Sequence, residues 1–368
     1  MANAVKLYEL IEVIETLAPV QTQESYDNSG LIIGNKQDII SGAIISLDIT
    51  EGVIYEAVKL GYNLIISHHP IIFKPLKRLN GNTATERCII LAIKHGIALY
   101  AAHTNLDNSM KGVNAILADK LNITPSGILQ PLKGMLRKLV VYVPNSHQDA
   151  VREAMFKSGA GVIGNYDSCS FNSLGQGTFR ANEGSNPYVG SQGELHMESE
   201  IKIEAILPSW LEQKVIKSVL EVHPYEEVAW DSYNLNNDHM QIGAGIYGQL
   251  HSPMKEIDFL TNIKNVLSVP FLKHSPLLHK DILKVGLCGG SGNFLLQDAI
   301  NHQCDVFITG ELKYHDYFMA ENKILLVEAG HYETEQFSKE LLYRILKENF
   351  TTFALQISGI SSNPVNYL

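Results

Sequence analysis

Short apolar runs alternate with amphipathic stretches over the first third of the chain. AIISLDIT (43–50) reads as a strand, TEGVIYEAVKLG as a helix stopped at Gly61, and NLIIS (63–67) as the next strand. A helix around ATERCIILAIKHG and a strand in GIALYAAH continue the alternation, which is the grammar of βαβ units. Residues 1–127 therefore read as one α/β block.

The pattern changes after LNITPSGILQPLKGM. RKLVVYVP (137–144), helical HQDAVREAMFKSG and strand-like YDSCSF are echoed by IKIEAILP (201–208), WLEQKVIKSVLEV and EEVAWDSY. Such a strand–helix–strand repeat is what two βαβ units of a ferredoxin-like domain present. Between the copies, SLGQGTFRANEGSNPYVGSQGELH reads as loops or a hairpin. From about Gly243 the first grammar returns: DILKVGLCGGSGNFLLQDAI is strand, glycine-rich loop and helix, CDVFITG a strand, YHDYFMAENK a helix, KILLVEAG a strand and TEQFSKELLYRIL a helix. The expected fold is a discontinuous, doubly wound α/β domain (1–127 and 241–368) with an inserted ferredoxin-like α+β domain (128–240).

Composition narrows the class. A chain of 368 residues, 45% hydrophobic, can bury the cores of two or three domains. The formal charge of −10 repels a phosphate backbone and argues against non-specific nucleic-acid binding. Cys88, Cys169, Cys288 and Cys304 are scattered without a CxxC pair, which suits the reducing cytoplasm. Glu9, Glu12 and Glu15 punctuate an amphipathic amino-terminal helix, and no apolar run reaches membrane length, so neither a signal peptide nor a span is expected.

Candidate chemistry gathers where strands end. NLIIS is followed by His68 and His69, GIALYAA by His103 and Asp107, VFITG by Glu311 and His315, and KILLVEAG by His331, Glu333 and Glu335. Pro70 biases His69 toward an extended or turn backbone, and ligands of open α/β sheets bind beyond the carboxyl ends of strands. Four parallel strands in one sheet would bring these groups to a common crevice. His331 and Glu335 are four apart, hence on one helical face. Each has a plainer reading: a loop histidine is commonly just hydrogen-bonded, an acid at a helix start serves the dipole, and Asp107 can cap a turn. Together, imidazoles and carboxylates suit zinc, iron, manganese or nickel, and two ions about 3.5–4 Å apart would generate hydroxide for metal-assisted hydrolysis. The amides of GLCGGSGN could receive a phosphate, although the G-x-G-x-x-G spacing and a P-loop lysine are missing. No Ser-His-Asp or Cys-His arrangement stands at a recognisable spacing.

Taken in order, YDNSGLIIG, ISHHPIIF, AAHTNLDN, the GGSG loop, ITGELKYHD and AGHYETE resemble the signature of the Nif-three-like family, whose members are often labelled GTP cyclohydrolase 1 type 2 homologs. The likeness covers both outer blocks. It implies two divalent metal ions held by His68, His69, Asp107, His331 and Glu335, with His103, Glu311 and His315 nearby, His103 and His315 being the candidates to shuttle protons. It also implies a homohexamer and a small-molecule substrate, with a nucleotide such as GTP as the leading candidate. The insert resembles the PII and CutA type of module, VHPYEEVAW carrying that likeness, and Tyr26 stands where the family usually has Trp. A rival reading is a non-catalytic metal-binding or regulatory protein whose insert senses a ligand.

Overall fold

Strand runs as apolar as Leu64–Ser67 are buried on both faces, and period-two alternation sends successive residues to opposite cores. In the computed structural model, which describes residues 5–366, Ile45, Leu64, Ile66 and Tyr100 enter one core while Ile44, Ile65 and Leu99 enter another. Their sheet has five strands in the order Leu355–Ile357, Ala43–Ser46, Leu64–Ser67, Ala98–Ala101, Gly30–Ile33. The first four run parallel and Gly30–Ile33 is an antiparallel edge. The helix Glu51–Leu60 on this sheet is fixed at both ends, since Thr50 Oγ1 accepts from Val53 N at 3.3 Å and Gly61 takes the left-handed conformation.

The second half of the chain does not extend that sheet. It builds another of six strands, ordered Lys273–His274, Leu325–Glu328, Val306–Thr309, Asp281–Cys288, Gly243–Lys255, Ile123–Pro131. One parallel sheet carrying all four candidate strand ends is therefore not what the chain builds: the four strands divide two and two. The long antiparallel pair of Ile123–Pro131 with Gly243–Lys255 is the cause, because it starts a new sheet where the chain departs for, and returns from, residues 132–240. It also carries the first block past 127 to Pro131. One continuous core joins both sheets to the helices Leu7–Leu17, Val113–Lys120, Glu256–Leu267 and Ser338–Asn349.

The chain divides into two compact units, Met1–Pro131 with Gln241–Leu368, and Leu132–Met240. The smaller unit has an antiparallel sheet ordered Trp230–Asn234, Leu136–Pro144, Leu195–Pro208, Phe171–Arg180. Helices Gln148–Lys157 and Glu212–Val222 close one face over Leu139, Val141, Ile203 and Ala205. YDSCSF is not a full strand: Gly161, Gly164 and Ser168 take positive φ, so pairing begins only at Phe171, and the glycine-rich stretch after it forms a hairpin with Leu195–Pro208. Among the described residues, no helix is long and apolar enough to cross a membrane.

Candidate metal centre

The strand Leu64–Ser67 hands its direction to the two histidines. His68 N donates to Ser46 O at 3.2 Å and His69 N to Leu47 O at 2.9 Å, yet the two rings lie 4.9 Å apart and tilt 46°, converging on one carboxylate. His69 Nε2 is 2.9 Å and His68 Nε2 3.7 Å from Glu335 Oε2. Glu335 comes from the short helix His331–Glu335, and its Oε2 is also 3.0 Å from His331 Nε2. Two sheets thus meet on one oxygen.

His68 is wholly buried, and its Nδ1 donates to Ala102 O at 2.8 Å, which leaves Nε2 as a lone pair. That Nε2 and Asp107 Oδ1 are buried without a hydrogen-bond partner, 3.6 Å apart. Two unpartnered polar atoms in one buried place are costly, and a cation between them would satisfy both. His68, Asp107 and Glu335 form one group whose ligand atoms all lie within 4.8 Å of each other; His69, His331 and Glu335 form a second, and His68, His69 and His103 a third. A metal ion fits this donor set.

Each imidazole has a support behind it. Asp48 Oδ1 is 2.7 Å from His69 Nδ1, and Asp48 Oδ2 accepts from Ser362 Oγ at 2.6 Å. Glu311 Oε1 is 3.0 Å from His331 Nδ1 and its other oxygen accepts from Ser291 Oγ at 2.6 Å. Asp27 Oδ1 is 2.7 Å from His103 Nδ1, while Asp27 Oδ2 accepts from Ser29 and Thr104. Asn363 Nδ2 donates to Glu333 Oε1 at 3.1 Å, so the stretch of chain around residue 362 braces the same region.

In the metal-free protein the charges lean on one another. Burial alone would push His69 down, but hydrogen bonds to Asp48 and Glu335 outweigh it and raise the imidazole to about 10. For His331 burial is likewise overcome by Glu335, to about 9. His68 is pushed down by burial. Burial and the Glu335 charge push Asp107 well above the usual carboxylate range; Glu335, despite its burial, is held well below it by His331, His68 and His69.

The glycine-rich loop serves the carboxylate rather than a phosphate. A Cβ on Gly290, whose φ is +61°, would stand 2.1 Å from Glu335 Oε1. The loop's three glycine amides are already engaged: Gly289 N donates to Asn114 Oδ1, Gly290 N to Thr334 Oγ1 and Gly292 N to Thr309 Oγ1, at 2.8–3.1 Å. The phosphate reading of GLCGGSGN is corrected accordingly.

His315 does not join the cluster. It sits exposed before the one-turn helix Asp316–Met319, against the rings of Tyr314 and Phe318, and the residue that this strand end sends to the site is Glu311. The structure also adds Asp48, Asp27 and Ser362. Asp48 comes after the strand Ala43–Ser46 and obeys the strand-end rule; Ser362 carries no signal in sequence. Two cavities open on the cluster and share His69 and His331. One, of about 410 Å³, is walled by Tyr26, Phe73, Phe294 and His103; the other, of about 470 Å³, by Asp48, Glu311, Tyr332 and Asn363.

A family description, Duf34/NIF3 (NGG1p interacting factor 3), matches residues 5–364. A Halalkalibacterium halodurans protein named GTP cyclohydrolase 1 type 2 homolog is 39% identical over 366 residues, 98% of each chain. A Bacillus subtilis protein of the same name is 36% identical over the whole of both chains. Among solved structures, a Bacillus cereus protein related to NIF3 aligns over the full length of both chains with a TM-score of 0.85 at 34% identity.

Proposed function

Because the chain belongs to the Duf34/NIF3 family, we propose that it is a metal-dependent hydrolase with two divalent ions, one held by His68, Asp107 and Glu335 and the other by His69, His331 and Glu335. The observation that carries this reading is the pair of unpartnered buried atoms, His68 Nε2 and Asp107 Oδ1, facing the carboxylate of Glu335. When bound, such ions supply Lewis acidity and activate water near neutral pH.

The chain's own groups divide the remaining work. Glu335 is shared by both groups, and Asp48, Glu311 and the Ala102 carbonyl fix which nitrogen of each imidazole points inward. His103, with Asp27 behind its Nδ1, borders the aromatic-walled cavity and holds or moves a proton at Nε2. Tyr26, Phe73 and Phe294 orient a flat substrate by their faces. The relatives' name points to a purine nucleotide, GTP, whose ring would be opened by attack at C8.

Residues 128–240 are, in this reading, an inserted ferredoxin-like module, and the protein is a cytoplasmic homohexamer. A second reading, a metal-binding regulatory protein, is favoured by the separate core of the smaller unit. Metal analysis of protein purified without chelator or nickel resin, followed by a GTP turnover assay, separates them. About two ions per chain with turnover supports the hydrolase; two ions with no turnover of nucleotide, phosphoester or amide favours the regulator; no ion even after reconstitution overturns both.

A further inference from the structure

The smaller unit contains a cavity of about 500 Å³ that the metal chemistry does not use. That volume is in the range of small-molecule sites. Tyr142, Phe179, Tyr188 and Tyr225 line it, and the last three pack ring against ring. Tyr225 stands between Tyr188, at 6.0 Å and 47°, and Phe179, at 6.3 Å and 57°. The three rings come from separate places: Phe179 from the hairpin strand Phe171–Arg180, Tyr188 from the hairpin's loop, and Tyr225 from the segment after the helix Glu212–Val222.

Charge completes the cavity. Glu200, Glu226 and Glu227 line it, against Arg180 as the one cationic lining residue. Glu200 is held in place, because the Tyr225 hydroxyl donates to its Oε1 at 2.9 Å and its Oε2 lies where a Cβ on Gly177 would stand, 2.2 Å away. Any side chain at 177 would displace that carboxylate. Burial, with Glu200 beside it, keeps the Tyr225 phenol protonated, so it remains a donor. The loop that carries Tyr188 is tied to the segment after the helix, Asn186 N donating to Glu226 Oε1 at 2.8 Å.

Aromatic faces attract cations through their quadrupole, most strongly where the cation is an alkylammonium that sheds water easily, and a nearby carboxylate adds to the attraction. We propose that the cavity bounded by Phe179, Tyr188, Tyr225 and Glu200 is a binding site for a small organic cation carrying an alkylated ammonium group. The site is independent of the metal centre. It gives the smaller unit a ligand chemistry of its own.

Choline is the probe, with two molecules of the same skeleton: 3,3-dimethylbutan-1-ol, in which carbon replaces the nitrogen, and isethionate, in which a sulfonate does. The full-length, metal-loaded protein is titrated with each by calorimetry and by tryptophan fluorescence. Both tryptophans, Trp210 and Trp230, lie in this unit, and Trp230 directly follows the lining residue Ala229. The expected result is saturable choline binding in the millimolar range or tighter, with the neutral analogue and isethionate each weaker by about tenfold or more. Tyr188→Leu keeps an apolar side chain at a residue that is 51% exposed, so the fold is retained while the ring is lost. That variant and Glu200→Gln should each weaken choline about tenfold. Equal binding of the neutral alcohol, tighter binding of isethionate through Arg180, unchanged affinity in both variants, or no choline binding would each overturn the proposal.

Discussion

His68 Nε2 and Asp107 Oδ1 face each other across 3.6 Å, both buried and neither with a hydrogen-bond partner. A cation between them would satisfy both atoms. Metal should therefore stabilise the fold as well as serve chemistry. With free metal at a hundred times its dissociation constant, the gain is about 2.7 kcal/mol. A thermal melt with and without EDTA checks this, and identical midpoints for metal-loaded and stripped protein would remove the argument.

Asp48 tests the layer behind the ligands. Asp48→Asn removes the charge that orients His69 without touching a proposed ligand, and should weaken metal binding by roughly 10–100-fold. Competition with a chromogenic chelator reads the loss. Asp27→Asn should leave metal affinity intact and lower kcat, since His103 is the one imidazole of the cluster that Asp27 supports, its other bonds going to Asn28, Ser29 and Thr104.

Proton release is expected from the raised imidazoles. Metal takes neutral histidine, whereas His69 and His331 of the stripped protein stay protonated up to about 10 and about 9. Loading at pH 7 should expel the protons of both imidazoles, with any carried by Asp107 in addition, and apparent affinity should rise with pH. Calorimetry in buffers of different ionisation enthalpy counts them. The sign for stability is opposite in the stripped protein. A folded-state pKa above the ordinary 6.5 contributes stability that is complete below 6.5 and lost as pH climbs through about 9 and about 10. Stripped protein should thus melt progressively lower across that window.

Gly290→Ala should be among the most damaging small substitutions. It places a methyl group 2.1 Å from Glu335 Oε1 at a φ of +61°, so destabilisation of more than about 1 kcal/mol should accompany loss of metal. Denaturant unfolding together with metal analysis distinguishes this from Gly134→Ala. That residue also has a positive φ, of +70°, but has open space around it, so the backbone strain is matched and metal should be retained.

Thiol labelling should be selective. Cys88, Cys288 and Cys304 are buried, and burial pushes the Cys304 thiol up to about 12. Only Cys169, partly exposed, should react with a maleimide in the native protein. Mass spectrometry of the labelled peptides gives the answer.

Much of the site was legible because the strand-end rule is local. Leu64–Ile66 announce a buried strand, and the residues directly after such a strand must lie at its carboxyl edge, which brought His68, His69, His103 and His331 into view. The rule fails for His315, since direction within a loop depends on packing: here Tyr314 and Phe318 take the ring, and Glu311 reaches His331 Nδ1 instead. The division into two sheets was hidden because it depends on how Ile123–Pro131 pairs with Gly243–Lys255, more than a hundred residues away. At SLGQGTFR composition left loop and hairpin open, and the backbone takes the hairpin, pairing along its length with Leu195–Pro208.

The Ser362–Asp48 bond has a consequence for how the protein is made. Residues 132–240 are contiguous and can fold as soon as they leave the ribosome. The metal centre cannot, since its donors run from His68 to Glu335 and the hydroxyl that steadies Asp48 is translated later still. During synthesis the early histidines emerge without their partners, so the full donor set exists only once residue 335 has been made, and Asp48 gains its hydroxyl partner only after residue 362.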